Sequence, residues 1–206
     1  YDSPDTFYDL ALRFEAGDVT LELQHARGET DDATWVWWPE RRILWTGDLF
    51  IWVAPNAGNP QKVQRYAAEW AAALREMAAR GPELLIPGHG LPIVGADRVR
   101  QALTDTADWL DSLVSQTLAL MNAGASLEQV LNEVRPPAHL AGRHYLQPVY
   151  DEPDYVVRNL WRLYGGWYDG VPAHLKPAPE ADRFTEFDAH YFPEAYLKLV
   201  ADHGSR

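Results

Sequence analysis

A carboxylate and an imidazole each follow a short apolar run in this chain, and both side chains bind divalent metals. Asp48 ends the run that begins at Ile43, and His89 follows Leu84-Leu85-Ile86 within the segment Pro87 to Gly90. Strands hold ligands more precisely than loops do, and a carboxylate and a neutral imidazole are typical ligands of a catalytic zinc site. The two positions indicate a metallohydrolase, although two ligands are too few to complete its site.

The elements that would position these side chains alternate between strand and helix. Alternation of apolar and polar residues predicts a hairpin over residues 10–23, and apolar runs predict a second strand pair over residues 34–45. Asn59-Pro60, followed by apolar residues at helical spacing, predicts a helix that ends at Gly81. A strand, a helix and a strand in this order are typical of a layered α/β domain.

The chain becomes helical after this α/β part. Apolar periodicity predicts a long helix over residues 95–122, and Ser126 is a suitable cap for a second helix that ends near residue 134. A further helix is predicted over residues 154–164, where Gly165-Gly166 would end it.

Composition excludes several classes of protein. The chain has 206 residues and no cysteine, so any metal must be held by His, Asp and Glu. Its 18 Lys and Arg residues are scattered against 30 Asp and Glu residues, and a net charge of -12 disfavours nucleic-acid binding. The apolar stretches are too short to span a membrane, and the cellular compartment stays undecided.

Aromatic residues are abundant, with nine Trp and ten Tyr. Trp and Tyr are favoured in cores and subunit interfaces, where they combine large contact area with a polar group. The cluster of Trp161, Tyr164, Trp167 and Tyr168 is therefore interpreted as an interface core, with the lining of a pocket for an alkyl chain as the alternative.

Residues 28–39, followed by Leu44-Trp45-Thr46-Gly47-Asp48, resemble the second part of the metallo-β-lactamase superfamily pattern. That pattern reads Gly-His-Thr, a strand, Gly-Asp and a final His. Glu29 stands where the first His is usual, whereas Asp48 and His89 match the bridging carboxylate and the last ligand. The resemblance implies a site for two divalent ions, with zinc expected, in which Asp48 bridges the ions and Glu29 and His89 each bind one.

A carboxylate at the position of Glu29 resembles the alkylsulfatase-like branch of that superfamily. The segment Tyr145-Leu146-Gln147-Pro148 and the run from Trp161 to Ala173 resemble its dimerisation domain. The resemblance implies an α/β fold class, with the second half of an αββα sandwich in residues 1–100 and a mostly helical dimerisation domain in residues 101–206. It also implies a homodimer.

The same resemblance implies hydrolysis of a sulfate ester, with Asp48 as the catalytic carboxylate. Asn56, Lys62 and Arg65 are then the candidate substrate-binding residues in the segment after Asp48. Relatives that cleave alkyl sulfates tend to carry an Asn and then arginines in this segment; Asn56 is kept here, but the first arginine is absent. A lysine cannot reproduce the two-pronged grip of a guanidinium on sulfate, so another ester or a thioester stays open as the substrate.

The superfamily's first metal motif, His-x-His-x-Asp-His, does not occur in these 206 residues. The expectation is therefore that this polypeptide alone is incomplete, and that a cleaved, split or separate amino-terminal part supplies the remaining ligands. The alternative from another class is a non-catalytic dimerisation or assembly fragment.

Overall fold

The computed structural model describes residues 6–177 and 179 of the chain. Six strands and four α-helices form this part in mixed α/β order. The strands are β1 (Ala11–Ala16), β2 (Val19–Ala26), β3 (Ala33–Trp38), β4 (Ile43–Ile51), β5 (Leu84–His89) and β6 (Ile93–Val94). The helices are α1 (Ala67–Ala79), α2 (Ala96–Asn122), α3 (Leu127–Glu133) and α4 (Pro153–Gly165), and short 3₁₀ turns occur at Pro39–Arg41, Ala138–Leu140, His144–Leu146 and Pro172–His174.

The six strands form one sheet in the order in which they occur along the chain. Strands β1 to β4 make an antiparallel meander, which confirms the predicted hairpin, with Gly17 at a φ of 61° in its turn. Strand β5 then pairs with β4 in parallel, and α1 makes the crossover between them. A parallel pair needs such a crossover, so the predicted succession of strand, helix and strand is confirmed.

One face of the sheet carries the core. Helices α1 and α2 pack against each other and against this face, where Trp35, Trp37 and Leu44 are buried. Neighbouring residues of a strand point to opposite faces, so Trp38 and Trp45 lie on the other face, where they are only half-buried. The two faces of the sheet therefore differ in how well their apolar residues are covered.

Helix α1 begins at Ala67, so the prediction that it begins at Asn59-Pro60 is wrong. Asn59 accepts a hydrogen bond from the backbone N–H of Gln61 through its side chain, which makes a local turn. Gln64 and Arg65 bond to Asn159 of α4. These contacts hold the segment in an irregular conformation that its helical pattern does not reveal.

Strand β4 continues past Asp48 to Ile51, so the prediction that Asp48 ends the strand is also wrong. The pairing of β4 with β5 shifts register between Trp45 and Gly47 and again between Gly47 and Ile51. Gly47 has a φ of 52°, which a residue with a β-carbon rarely adopts. Asp48 therefore leaves the sheet from an irregular stretch within a strand.

The predicted helices of the carboxyl-terminal part are confirmed. Ser126 and Gln129 form a reciprocal capping box at the start of α3. Helix α4 packs against α2 and α3 and belongs to a compact unit that extends to Trp167, and a second unit begins at Tyr168. Within the described residues, none of the helices combines the length and apolar character needed to cross a bilayer. The expected division at residue 100 stays a prediction.

Candidate metal centre

Asp48 and His89 meet at the edge of the sheet where β4 and β5 run side by side. Their parallel register pairs Gly47 with Pro87 and Ile51 with His89, which brings the two side chains to the same end. His89 Nε2 lies 3.4 Å from Asp48 Oδ1. Both side chains are at least half exposed, so the pair is open to a ligand from solvent.

The glycine before His89 makes this approach possible. A β-carbon at Gly88 would lie 2.1 Å from Asp48 Oδ1 and 2.7 Å from the backbone carbon of Gly47. Such distances do not occur between real atoms, so any larger residue would push β4 and β5 apart at this point. The Pro-Gly-His-Gly sequence therefore serves the contact between the two candidate ligands.

Glu29 is the third candidate ligand, and side-chain hydrogen bonds orient its carboxylate. Its Oε1 accepts a hydrogen bond from Asn56 Nδ2 at 2.5 Å and one from Arg65 Nη2 at 3.1 Å. Arg65 also donates to the backbone oxygen of Glu29. The Arg65 side chain is almost fully buried, whereas a quarter of the Glu29 side chain remains exposed. Bonds to a charged, partly buried carboxylate are stronger than bonds between neutral groups, so Glu29 is held firmly.

These groups share one pocket of about 530 Å³. Polar side chains form part of its wall, and apolar side chains form the rest. The lining residues are Glu29, Asp48, Ile51, Trp52, Val53, Asn56, His89, Gly90, Val149 and Tyr150. A small set of convergent polar groups in a mostly apolar cavity is typical of a small-molecule site.

Trp52 forms a fixed apolar wall of the pocket. Its indole Nε1 donates a hydrogen bond to the backbone oxygen of Leu91 at 2.7 Å, and its ring meets the rings of Phe50 and Tyr145 nearly edge-on. Gly90, at a φ of 97°, leaves room for this ring, because a β-carbon there would lie 2.1 Å from Trp52 Cδ1. The loop after His89 and the apolar wall are therefore built together.

Tyr145 supports that wall as a neutral phenol. Burial, together with the hydrogen bond to Asp105, raises its pKa well above the ordinary tyrosine value. Its hydroxyl donates to Asp105 Oδ2 at 2.7 Å, and Arg143 lies on the same carboxylate at 2.7 Å. Tyr145 therefore donates its hydroxyl hydrogen to Asp105 while its ring packs against Trp52.

The structure brings four of the candidate residues to the pocket: Glu29, Asp48, Asn56 and His89. Arg65 does not line the pocket but bonds to the Glu29 carboxylate. The exposed Lys62 is not among the lining residues either. The predicted metal-binding, catalytic and substrate-binding roles of the whole set stay predictions.

The donors fit part of a site for a divalent ion. Asp48 and His89 offer the carboxylate oxygen and imidazole nitrogen that zinc accepts, at a separation compatible with shared coordination. Among the residues that the structure describes, no group of three or more His, Asp or Glu side chains is close enough to hold a metal ion. Glu29 does not form such a group with Asp48 and His89; its carboxylate accepts hydrogen bonds from Asn56 and Arg65.

Sequence reasoning missed the apolar lining, which includes Trp52, Val149 and Tyr150. Val149 and Tyr150 directly follow the segment Tyr145-Leu146-Gln147-Pro148, which resembles part of the dimerisation domain. The motif of residues 145–148 therefore lies next to these two lining residues in the sequence, but only the fold shows that the segment reaches the end of β4.

Comparison with known proteins identifies two regions of the chain. A model of the metallo-beta-lactamase superfamily matches residues 1–89, and a model described as alkyl sulfatase dimerisation matches residues 126–189. The second match extends beyond the described residues.

Individual proteins match over most of this chain. A linear primary-alkylsulfatase from a Pseudomonas strain is 28% identical over 87% of the chain and 34% of its own length. An (R)-specific secondary-alkylsulfatase from Pseudomonas is 32% identical over 82% of the chain and 26% of its own length. The solved structure of a stereoselective inverting sec-alkylsulfatase from Pseudomonas covers 98% of the chain and 34% of its own, with 29% identity and a TM-score of 0.82. The chain thus spans about a quarter to a third of the length of these relatives.

Proposed function

Because the chain belongs to the alkylsulfatase-like branch of the metallo-β-lactamase superfamily, we propose that it forms part of a metal-dependent hydrolase that cleaves sulfate esters. The observation that carries this proposal is the Asp48–His89 contact in the lining of a largely apolar pocket that Glu29 also lines. Relatives with alkylsulfatase activity support the reaction class.

The proposed ligands are Glu29, Asp48 and His89, with Asp48 as the bridging and catalytic carboxylate. These residues would hold two divalent ions, zinc in this proposal; when bound, the ions would make a nucleophile available from water near neutral pH and would polarise the ester. Within this chain, the parallel strands hold Asp48 and His89 together, and Asn56 and Arg65 hold the Glu29 carboxylate.

The pocket fits a substrate that has one anionic end and one apolar end. Asn56 is the proposed polar contact on the wall, and Trp52, Val149 and Tyr150 are proposed to contact the apolar part. Lys62 and Arg65 complete the proposed substrate-binding set. Since neither lines the pocket, Lys62 is proposed to add positive potential beside it, and Arg65 is proposed to act through the Glu29 carboxylate that it holds.

The remaining ligands and the covering of the second sheet face are proposed to come from a separate amino-terminal part of the same protein. Trp38 and Trp45 leave that face half-buried and apolar, as expected of a surface that packs against another segment. The match to a dimerisation model supports a homodimer as the proposed assembly.

The proposal is tested on the full-length protein that contains this chain. We expect tightly bound divalent metal and hydrolysis of a linear alkyl sulfate, both reduced at least tenfold by Asp48→Asn and by His89→Ala. His139→Ala removes an exposed histidine outside the pocket and is the matched control. A correctly folded full-length protein without tightly bound metal would refute the proposal. A preference for carboxylate esters or thioesters over the sulfate ester would change its substrate.

A non-catalytic assembly fragment is the second candidate, and the match of residues 126–189 to the alkyl sulfatase dimerisation model favours it. This candidate expects stable self-association of the chain, measured by light scattering. It also expects no metal-dependent ester hydrolysis when the full-length protein is assayed. The hydrolysis assay of the full-length protein therefore separates the two candidates.

A further inference from the structure

The segment between β4 and α1, residues 52–66, carries Asn56 and Arg65, the two residues that orient Glu29. It has no regular secondary structure, and contacts with the carboxyl-terminal part hold it in place. The backbone N–H of Ala54 donates to the backbone oxygen of Gln147 at 3.0 Å. We call residues 52–66 the β4–α1 loop.

A second contact holds the middle of the loop against α4. The backbone N–H of Gly58 donates to Asp151 Oδ2 at 2.6 Å, and Asp151 is buried. A β-carbon at Gly58 would lie 2.2 Å from the backbone carbon of Tyr155 and from the backbone nitrogen of Val156. The backbones of loop and helix therefore touch, with no side chain between them.

The third contact uses Asn159 of α4, whose side chain is paired with the backbone of Arg65 on both sides. Asn159 Nδ2 donates to the Arg65 backbone oxygen at 3.0 Å, and Asn159 Oδ1 accepts from the Arg65 backbone N–H at 3.4 Å. The same Oδ1 accepts from Gln64 Nε2 and from Arg162 Nη2. Asn159 is only 4% exposed, so it cannot exchange these bonds freely for bonds to water.

The contacts continue from Arg65 to the site. The Arg65 guanidinium bonds to the Glu29 carboxylate and to its backbone oxygen. The next residue, Tyr66, donates its backbone N–H to the backbone oxygen of Gly28 at 3.0 Å. A chain of contacts thus links α4 through Asn159 and Arg65 to the pocket wall at Glu29.

We propose that Asn159 is a positioning residue for the metal centre: it fixes the backbone of Arg65, so that the guanidinium holds the Glu29 carboxylate in its orientation. This inference rests on the proposed function for Glu29 as a ligand. Asn159 lies in the region that matches the alkyl sulfatase dimerisation model, so that region contributes directly to the geometry of the site.

Removal of the Asn159 amide leaves the buried N–H and C=O of Arg65 without these partners, which is unfavourable until the loop shifts. Partners that orient a metal ligand typically change metal affinity by about 10- to 100-fold. Asn159 acts one residue further away, so Asn159→Ala is expected to weaken zinc affinity about tenfold.

The experiment compares four variants of the full-length protein: Asn159→Ala, Arg65→Lys, their combination, and Val157→Ala. Val157 is buried in the same helix, and its truncation creates a cavity without touching the β4–α1 loop hydrogen bonds. Zinc affinity is measured by competition with a chelator, kcat and KM are measured with a linear alkyl sulfate, and amide hydrogen exchange is followed in residues 28–30 and 52–66.

We expect Asn159→Ala to lower zinc affinity about tenfold and to lower kcat with KM nearly unchanged, because Glu29 and not the substrate contact is displaced. Val157→Ala is expected to leave zinc affinity within about twofold while it lowers stability. If Asn159 acts through Arg65, the double variant binds zinc no more weakly than Arg65→Lys alone.

Equal zinc affinities for Asn159→Ala and Val157→Ala, or additive losses in the double variant, would overturn the proposal. If Asn159→Ala does not fold, Asn159→Asp replaces it, because it keeps the acceptor, removes the donor to the Arg65 oxygen and adds a carboxylate that Arg162 contacts. If the wild-type protein binds no zinc, the proposed function fails separately. Faster exchange at residues 28–30 in Asn159→Ala would then still support the link from Asn159 to Glu29, and unchanged exchange there would overturn it.

Discussion

The pocket has two polar walls that are positioned by different means. Asp48 and His89 lie on adjacent parallel strands, where the backbone register of β4 and β5 sets their separation. Glu29 and Asn56 lie on loops. Glu29 accepts hydrogen bonds from Asn56 and Arg65, and contacts of the β4–α1 loop with Asp151 and α4 hold that loop in place.

The two walls therefore differ in how they respond to mutation. A sheet register involves many backbone hydrogen bonds, so it yields only when the strands are forced apart. A loop held by a few buried side chains changes when one of those partners is removed. The Glu29 wall is thus expected to be the more adjustable part of the site, and the Asp48–His89 wall the more rigid part.

Gly58→Ala introduces a β-carbon where the β4–α1 loop contacts α4. The new β-carbon would collide with backbone atoms of Tyr155 and Val156, which cannot move aside as a side chain can. We expect a loss of about 3 kcal/mol in the free energy of unfolding, measured by chemical denaturation. Gly142→Ala is the control, since a β-carbon there meets no atom within 4 Å. Equal stabilities of the two variants would contradict the close approach of loop and helix.

Gly88→Ala attacks the sheet wall at the contact between the two candidate ligands. Its β-carbon would meet Asp48 Oδ1 and the backbone of Gly47, and the carboxylate can relieve part of this collision by rotating. We therefore expect a smaller loss of about 2 kcal/mol in the free energy of unfolding, together with a loss of metal binding by the full-length protein. Unchanged metal content would show that the Asp48–His89 contact is not needed for the site.

Trp52→Phe tests the apolar wall between the two polar ones. Phenylalanine keeps an aromatic ring next to Phe50 and Tyr145 but cannot donate to the Leu91 oxygen. The expected loss is about 1 kcal/mol in the free energy of unfolding, which is the usual net value of one such hydrogen bond. Amide exchange should become faster at residues 90–92 and remain unchanged at residues 28–30, because only the first group lies in the loop after His89.

A second carboxylate–imidazole contact, between Asp169 and His174, offers a local counterpart to Asp48 and His89. His174 Nδ1 lies 2.5 Å from Asp169 Oδ2, and both residues belong to the unit that begins at Tyr168. The contact with His174 lowers the pKa of Asp169 below its ordinary value. A lowered carboxyl pKa means that this contact stabilises the structure above the ordinary pKa and is lost as the pH falls through the lowered value.

His174→Ala should therefore raise the pKa of Asp169 toward its ordinary value. The shift can be followed through the carboxyl carbon resonance of Asp169 by NMR spectroscopy. His139→Ala provides the control, since His139 takes no part in this contact. An Asp169 pKa that stays low in His174→Ala would show that the backbone N–H of Val171 is sufficient to hold the carboxylate.

The sequence predicts those parts of the site that depend on local patterns. Gly47-Asp48 and Gly88-His89 stand out because each follows an apolar run, and the order of strand, helix and strand predicts a layered α/β domain. The superfamily resemblance is confirmed by the matches at both ends of the chain.

The parts that sequence reasoning missed depend on partners far apart in the chain. Asn159 and Arg65 are 94 positions apart, and neither residue type indicates in the sequence that the other is its partner. For the same reason the start predicted for α1 at Asn59-Pro60 is wrong, because contacts with α4 override the local helical pattern of residues 59–66. The continuation of β4 past Asp48 was missed because a glycine with positive φ can interrupt strand pairing without ending the strand.

The backbone contact at Gly58 decides where relatives of this chain can be recombined. A chimera that joins one relative's sheet to another's helices near the end of α1 would separate the β4–α1 loop from the α4 backbone that shaped it. Exchanges that carry residues 52–66 together with α4 keep this fit, whereas exchanges that divide them require a new one. The β4–α1 loop and α4 should therefore be exchanged as one block, even though two separate family models match the two parts of the chain.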